Sequence, residues 1–171
     1  MARVYLGLGS NIEREHYLAA GLDALTAEYG ELALSSVYNS AAIGFDGQPF
    51  LNMVVGFEAA LEVAELARGL RRIEVAHGRP PNAARFSARQ LDIDILTYGD
   101  LVAQVNSVVL PRPEILHNAF VLRPLAELAP EARHPQTGNT YAAHWQAYDQ
   151  SSQAVTRVDF SWHGQQISKA E

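Results

Sequence analysis

The chain has 171 residues, 48% hydrophobic and 19% charged, the profile of one globular domain with too little length for two ample ones. A formal charge of −6 excludes the broad basic face that nucleic-acid or acidic-membrane binding needs, while still allowing a local arginine cluster around a small anion. Cysteine is absent, so disulfides, thiolate nucleophiles and cysteine zinc sites are excluded; no signal-like or membrane-length apolar run is present, and a cytoplasmic protein is expected.

Residues 3 to 8 read as a short buried strand stopping at Gly7-Leu8-Gly9-Ser10-Asn11, where Asn11 is placed to cap a helix. That helix, about 13 to 29, sets Tyr17, Leu18, Leu22, Leu25 and Tyr29 near one face, with Gly30 as its stop. Leu32 to Tyr38 and Leu51 to Leu61 read as strands, separated by a loop long enough to suggest function. Val63 to His77 is a second helix with a buried stripe through Leu66, Leu70 and Ile73, ended by Gly78. The segment Arg79 to Arg89 has no periodicity, and Pro80-Pro81 forbids regular pairing, so a mobile, positively charged flap is expected. After the strand at Leu91 to Leu96 come a weak strand around Val105 to Leu110, a helix from Glu114 to Glu127 interrupted at Pro124, and a last helix near Tyr141 to Tyr148.

From Ser151 onward, Val158, Phe160 and Trp162 alternate with polar residues, which predicts an extra strand able to extend a sheet edge or to meet another subunit. The chain is therefore divided into a domain over 1–150 and an extension over 151–171, expected to be monomeric, with a dimer through the tail as the other option. The order β-α-β-β-α-β predicts an α+β sandwich with a ferredoxin-like core, helices on one sheet face and the other face free for ligands.

The most telling run is Gln90-Leu91-Asp92-Ile93-Asp94-Ile95-Leu96. Strict alternation in a strand sends Leu91, Ile93 and Ile95 into a core and puts both carboxylates on the opposite face, roughly 7 Å apart. A solvated strand face accounts for such a pair. So does a hard divalent cation, and Mg²⁺ characteristically takes one or two carboxylates, waters and nucleotide phosphates. Arg79, Arg85 and Arg89 just upstream suit phosphate charge. Other signals are weak: Gly7 and Gly9 lack the remainder of a dinucleotide or P-loop motif and fit a tight turn; the six histidines show no metal spacing; no serine sits in a nucleophile elbow.

Taken together, Gly7-Leu8-Gly9-Ser10-Asn11, Phe50-Leu51-Asn52, Ile73-Glu74 with Gly78-Arg79, Arg89 through Leu96, and Leu110-Pro111 with Ala119-Phe120-Val121-Leu122 occur in an order that resembles the hydroxymethyl-dihydropterin pyrophosphokinases of folate synthesis. The resemblance covers roughly residues 3 to 148. It implies transfer of the terminal pyrophosphate of ATP to the hydroxymethyl group of a reduced pterin, releasing AMP. Asp92 and Asp94 would hold two Mg²⁺ ions bridging the triphosphate, and Arg79 and Arg89 would clamp phosphate oxygens. Glu74 and Ile95 would lie on the nucleotide side, joined by Arg85 and Arg112. Asn52 would hydrogen-bond the pterin edge and Phe120 would stack on its ring, with Ser40, Ala41, Ile43 and Phe50 completing that pocket. As plain structure, the two phenylalanines would be core aromatics and Asn52 a strand-end cap.

Departures from the family pattern gather on the nucleotide side. Pro81 stands where a second arginine is common, Phe86-Ser87-Ala88 where Trp-Gly-Pro is usual, Arg112 where a histidine follows Leu-Pro, and Asn118 where a larger polar residue precedes Ala-Phe; the pterin loop reads Ser40-Ala41-Ala42. A missing charge-assisted phosphate contact costs about 1.5–3 kcal/mol, so slow turnover is expected, with Arg112 acting in the opposite sense. Two other readings follow: a paralogue that binds pterin or nucleotide without efficient transfer, and an enzyme with a changed acceptor or transferred group.

Overall fold

The computed structural model describes residues 1–42, 47–79 and 88–171. Its centre is β1 (Ala2–Ser10), flanked by β4 (Phe50–Ala59) and β5 (Asp92–Tyr98), with β2 (Ala33–Leu34) and β3 (Val37–Ser40) following one another along the far side of β4. Every pairing is antiparallel, in the order β5-β1-β4-β3. With α1 (Arg14–Tyr29) and α2 (Val63–Ala76) as crossovers, this is the expected ferredoxin-like arrangement.

Alternation divides the sheet into two faces. Leu6 lies opposite Val55 and Ile95, and Leu8 opposite Met53 and Ile93; these side chains form the main core with Leu18, Leu22, Leu25, Leu66 and Leu70 of the two helices. Each buried aliphatic side chain contributes roughly 1.5–3 kcal/mol, which fixes the register: a slip by one residue would drive Asp92 and Asp94 into this layer.

The second face is not free, as the sequence suggested, but half covered. Val54 and Leu96 seed a smaller core with Ile115, Leu122, Leu125 and Tyr141, supplied by a 3₁₀ turn (Pro113–Leu116), α3 (Ala119–Leu128) and α4 (Tyr141–Ala147). The interruption expected at Pro124 lies instead at His117-Asn118, and α3 runs through the proline. An interior proline costs ~3 kcal/mol, which burial of Leu122 and Leu125, 1% and 0% exposed, offsets.

Three other boundaries shift for local reasons. β1 continues through both glycines to Ser10, so Gly7 and Gly9 are strand residues and not a turn. The strand expected over 32 to 38 is broken because Ser35 Oγ accepts the Val54 amide at 2.9 Å, while Ser36 turns out to bind Glu127 through its amide at 2.8 Å and its hydroxyl at 2.6 Å. The weak strand near 105–110 is a hairpin, β6 (Ala103–Val105) and β7 (Val108–Leu110), turned at Asn106 with φ 56°.

The tail forms three strands where one was read. β8 (Val155–Val158) pairs with β3 and so extends the sheet edge; β9 (Phe160–Trp162) and β10 (Gln165–Ser168) form a hairpin turned at His163-Gly164, both at positive φ. Phe160 joins the main core and Trp162 Nε1 donates to Asp23 of α1 at 3.0 Å.

Candidate active site

The part of the second face that α3 and α4 leave open is a cleft of about 480 Å³. Its floor is made by backbone: Gly9 lies opposite Asp92 and Asn52, and Gly7 opposite Asp94 and Val54, so the two absent side chains open the space between the carboxylates and the amide. A Cβ on Gly9 would stand 3.2 Å from Asn52 Oδ1. That close approach, not a phosphate-binding turn, explains a glycine there.

Asp92 and Asp94 share this face, their side chains about one-third exposed at 34% and 33%. Among the described residues, each is paired with an arginine. The Arg79 guanidinium lies 3.5 Å from Asp92 and 3.0 Å from Glu74; Arg112 lies 3.6 Å from Asp94 and also pairs with Glu114. Burial, then the neighbouring Asp92 charge, pushes Asp94 up to about 8 against the pull of Arg112. A carboxylate this reluctant to ionise beside another is a place where positive charge is wanted. No third histidine, aspartate or glutamate joins them in a metal-sized group among the described residues. Two oxygen donors with open surroundings fit a hard cation that keeps waters and takes phosphate oxygens, as Mg²⁺ does.

Glu74, expected beside the nucleotide, lies under the cleft and not along it. One oxygen accepts the Ile93 amide at 2.8 Å and the other accepts from Arg79 at 3.0 Å; burial foremost pushes it up to about 7. It fixes the position of β5 and of Arg79. The Ile95 side chain is turned to the main core, since alternation places it opposite Asp94, so it does not reach the cleft. Ile43 and Arg85, like the span 80–87 of the expected flap, lie outside the described residues.

Arg89 lines the cleft and is 8% exposed. A residue the sequence reading assigned elsewhere holds it: Asn11 does not cap α1 but accepts the Arg89 amide at 2.8 Å, donates its own amide to the Arg89 carbonyl at 3.0 Å, and sends Nδ2 to the Gln48 carbonyl at 3.0 Å. No spacing in the sequence reveals that clasp. Glu114, two positions after Arg112 and paired with it, was read only as the start of a helix.

At the other end of the cleft Asn52 Nδ2 donates to Ser40 Oγ at 2.6 Å, which fixes the amide and leaves its oxygen and second hydrogen as recognition groups. Ala41, Phe50 and Phe120 line the cleft with it, and so does Asn118, one of the nucleotide-side departures in the sequence. Chemically, the cleft combines an anionic pair and the arginines Arg79, Arg89 and Arg112 with the fixed Asn52 amide and the rings of Phe50 and Phe120. The class this defines is a small α+β protein of ferredoxin-like topology with a cleft on one sheet face lined by paired carboxylates, arginines, an amide and two aromatic rings.

Residues 5–130 match the family model of 7,8-dihydro-6-hydroxymethylpterin-pyrophosphokinase (HPPK). Among curated relatives, the 2-amino-4-hydroxy-6-hydroxymethyldihydropteridine pyrophosphokinase of Aquifex aeolicus is 37% identical over 138 residues, covering 79% of this chain and 85% of that protein. The enzyme of the same name from Pseudomonas aeruginosa is 37% identical over 137 residues, covering 78% and 84%. The chain belongs to the 7,8-dihydro-6-hydroxymethylpterin-pyrophosphokinase family. Solved structures agree in fold: an HPPK-DHPS chain in complex with substrates superposes with a TM-score of 0.75 at 11% identity, over 98% of this chain and 48% of that one. Wild-type Plasmodium falciparum HPPK-DHPS gives 0.70 at 13%, over 98% and 49%. This chain thus spans about half the length of those structures. Residues 131–171 lie beyond the family match.

Proposed function

We propose that this chain transfers the terminal diphosphate of ATP to the hydroxymethyl oxygen of 6-hydroxymethyl-7,8-dihydropterin, releasing AMP, as a Mg²⁺-dependent cytoplasmic enzyme of folate synthesis. The observation that carries the reading is the joint placement, on one open sheet face, of Asp92 and Asp94 with an arginine near each and of the fixed Asn52 amide beside Phe50 and Phe120.

Asp92 and Asp94 would hold two Mg²⁺ ions. Bound Mg²⁺ supplies Lewis-acid polarisation of the phosphoryl oxygens and neutralises charge in transfer. Everything else falls to the chain's own groups. The Asn52 amide and the rings of Phe50 and Phe120 hold the pterin flat, so that its alcohol oxygen points along the sheet toward the arginines. Arg79, Arg89 and Arg112 take the phosphate oxygens. The alcohol oxygen forms the new bond to the β-phosphorus, the bond from that phosphorus to the α–β bridging oxygen breaks, the alcohol proton leaves to solvent, and AMP departs with the electron pair. Guanidinium groups are suited to that charge because they bind phosphate in a bidentate fork.

Arg79 and Arg112 are paired with Glu74, Glu114 and the two aspartates. Substrate binding would exchange these partners, with arginines moving from carboxylate to phosphate. That exchange, together with Pro81 in place of the family pattern's arginine, favours slow turnover. Incubation with Mg²⁺, ATP and the reduced pterin should yield AMP and pterin diphosphate in equal amounts. ADP as the nucleotide product, or no AMP above background at high enzyme, would overturn the assignment.

A further inference from the structure

α3 presents Phe120 to the cleft from its first turn, yet its N-cap residue, Asn118, makes no side-chain cap bond. The first amide of the helix, that of Ala119, is bound instead from 34 residues away: Gln153 Oε1 accepts it at 2.8 Å. The other end of the same side chain donates to Asn118 Oδ1 at 3.3 Å and the His117 carbonyl at 3.4 Å. Ala119 is fully buried, so its amide has no recourse to water. Two residues on, the Val155 carbonyl accepts from Arg123 of α3 at 2.6 Å, and Val155 pairs with Ser40, the residue that fixes the Asn52 amide. One stretch of tail therefore touches both walls of the ring-binding end of the cleft.

We infer that Gln153, outside the matched family region, is a positioning residue for the heterocyclic substrate, capping α3 from the tail and so setting the angle of Phe120. The inference rests on the pterin reading of that end of the cleft. A helix cap is worth roughly a factor of five, and here it is directed at one substrate only, because the phosphate end is built on β5, Arg79, Arg89 and Arg112, whereas the bonds of Gln153 go to His117, Asn118 and Ala119.

The test compares wild type, Gln153→Ala and Gln153→Glu in steady-state kinetics with both substrates, and in direct pterin binding without nucleotide. Gln153→Glu keeps an oxygen for the Ala119 amide but loses the donor that faces His117 and Asn118. The expected result is a rise of about fivefold in pterin KM and Kd for Gln153→Ala, with ATP KM and kcat within about twofold, and a smaller rise, about twofold, in Gln153→Glu. Unchanged pterin KM and Kd in Gln153→Ala, or equal rises for both substrates, would overturn the role of Gln153. Absence of AMP from the wild type would instead overturn the functional reading beneath it, so the two failures are distinguishable.

Discussion

Asp94 sits where burial and the Asp92 charge raise it to about 8 from 3.8, and the sign of the consequence is definite. Between about pH 4 and pH 8 the unfolded chain releases this proton before the folded one does, so the native state loses stability relative to the unfolded chain as pH rises through that window. Asp94→Asn removes the loss: Tm should rise by about 3 °C at pH 8.5 and match wild type near pH 3.5, measured by scanning calorimetry. The same variant should lose at least about 10³-fold in kcat. A variant less stable than wild type at pH 8.5 would show that the carboxylate is held by its partners and not resisted by its site. By the same sign, Mg²⁺ should bind more tightly as pH rises toward 8, with proton release seen as a buffer-dependent heat. The acidic pair was legible because alternation in a strand is the strongest short-range pattern a sequence carries. The clasp of Asn11 on Arg89, 78 positions away, and the bond of Glu74 to the Ile93 amide, 19 positions away, were not, because each is a contact across the fold.

At the scale of elements, β1 shows how a strand can be built for what it omits. Gly7 and Gly9 break no hydrogen bonds and pair in register on both sides; they clear the floor beneath the ligand. An added Cβ at Gly9 meets Asn52 Oδ1 at 3.2 Å, whereas at Gly7 it meets Leu96 at 3.4 Å, an ordinary contact. Gly9→Ala should therefore raise the pterin KM about tenfold, a shift of ~1.4 kcal/mol, and Gly7→Ala should leave it within about twofold; equal effects would deny that the Asn52 amide is what the glycine accommodates. The glycines read as a turn from sequence because local propensity is blind to what lies across a ladder. α3 failed in the reverse way: Pro124 reads as a stop, yet two buried leucines outweigh it, and the true break falls at His117-Asn118.

At the scale of the whole molecule, the tail is structural as well as peripheral. Phe160 is 6% exposed in the main core, and Ser168 Oγ accepts the Val37 amide at 2.8 Å. Phe160→Ala should cost about 3 kcal/mol and lower Tm by roughly 6–12 °C while kcat at 20 °C is retained; an unchanged Tm would mean that residues 151–171 contribute no core. The β-α-β-β-α-β order was readable throughout, since each crossover helix and strand carries its own period. The closing of half the second face by α3 and α4, which turns an open sheet into a cleft, was not, because it depends on Val54 and Leu96 meeting Leu122 and Leu125, residues well separated along the chain. The central claim is that this cleft brings two carboxylates, metal, triphosphate and pterin together. A crystal structure grown with Mg²⁺, a non-hydrolysable ATP analogue and hydroxymethyl-dihydropterin tests it most directly: metal density should bridge Asp92 and Asp94 to phosphate oxygens, with the pterin between Phe50 and Phe120. Nucleotide and metal bound elsewhere, or the carboxylates still paired with Arg79 and Arg112 at saturating ligand, would contradict it.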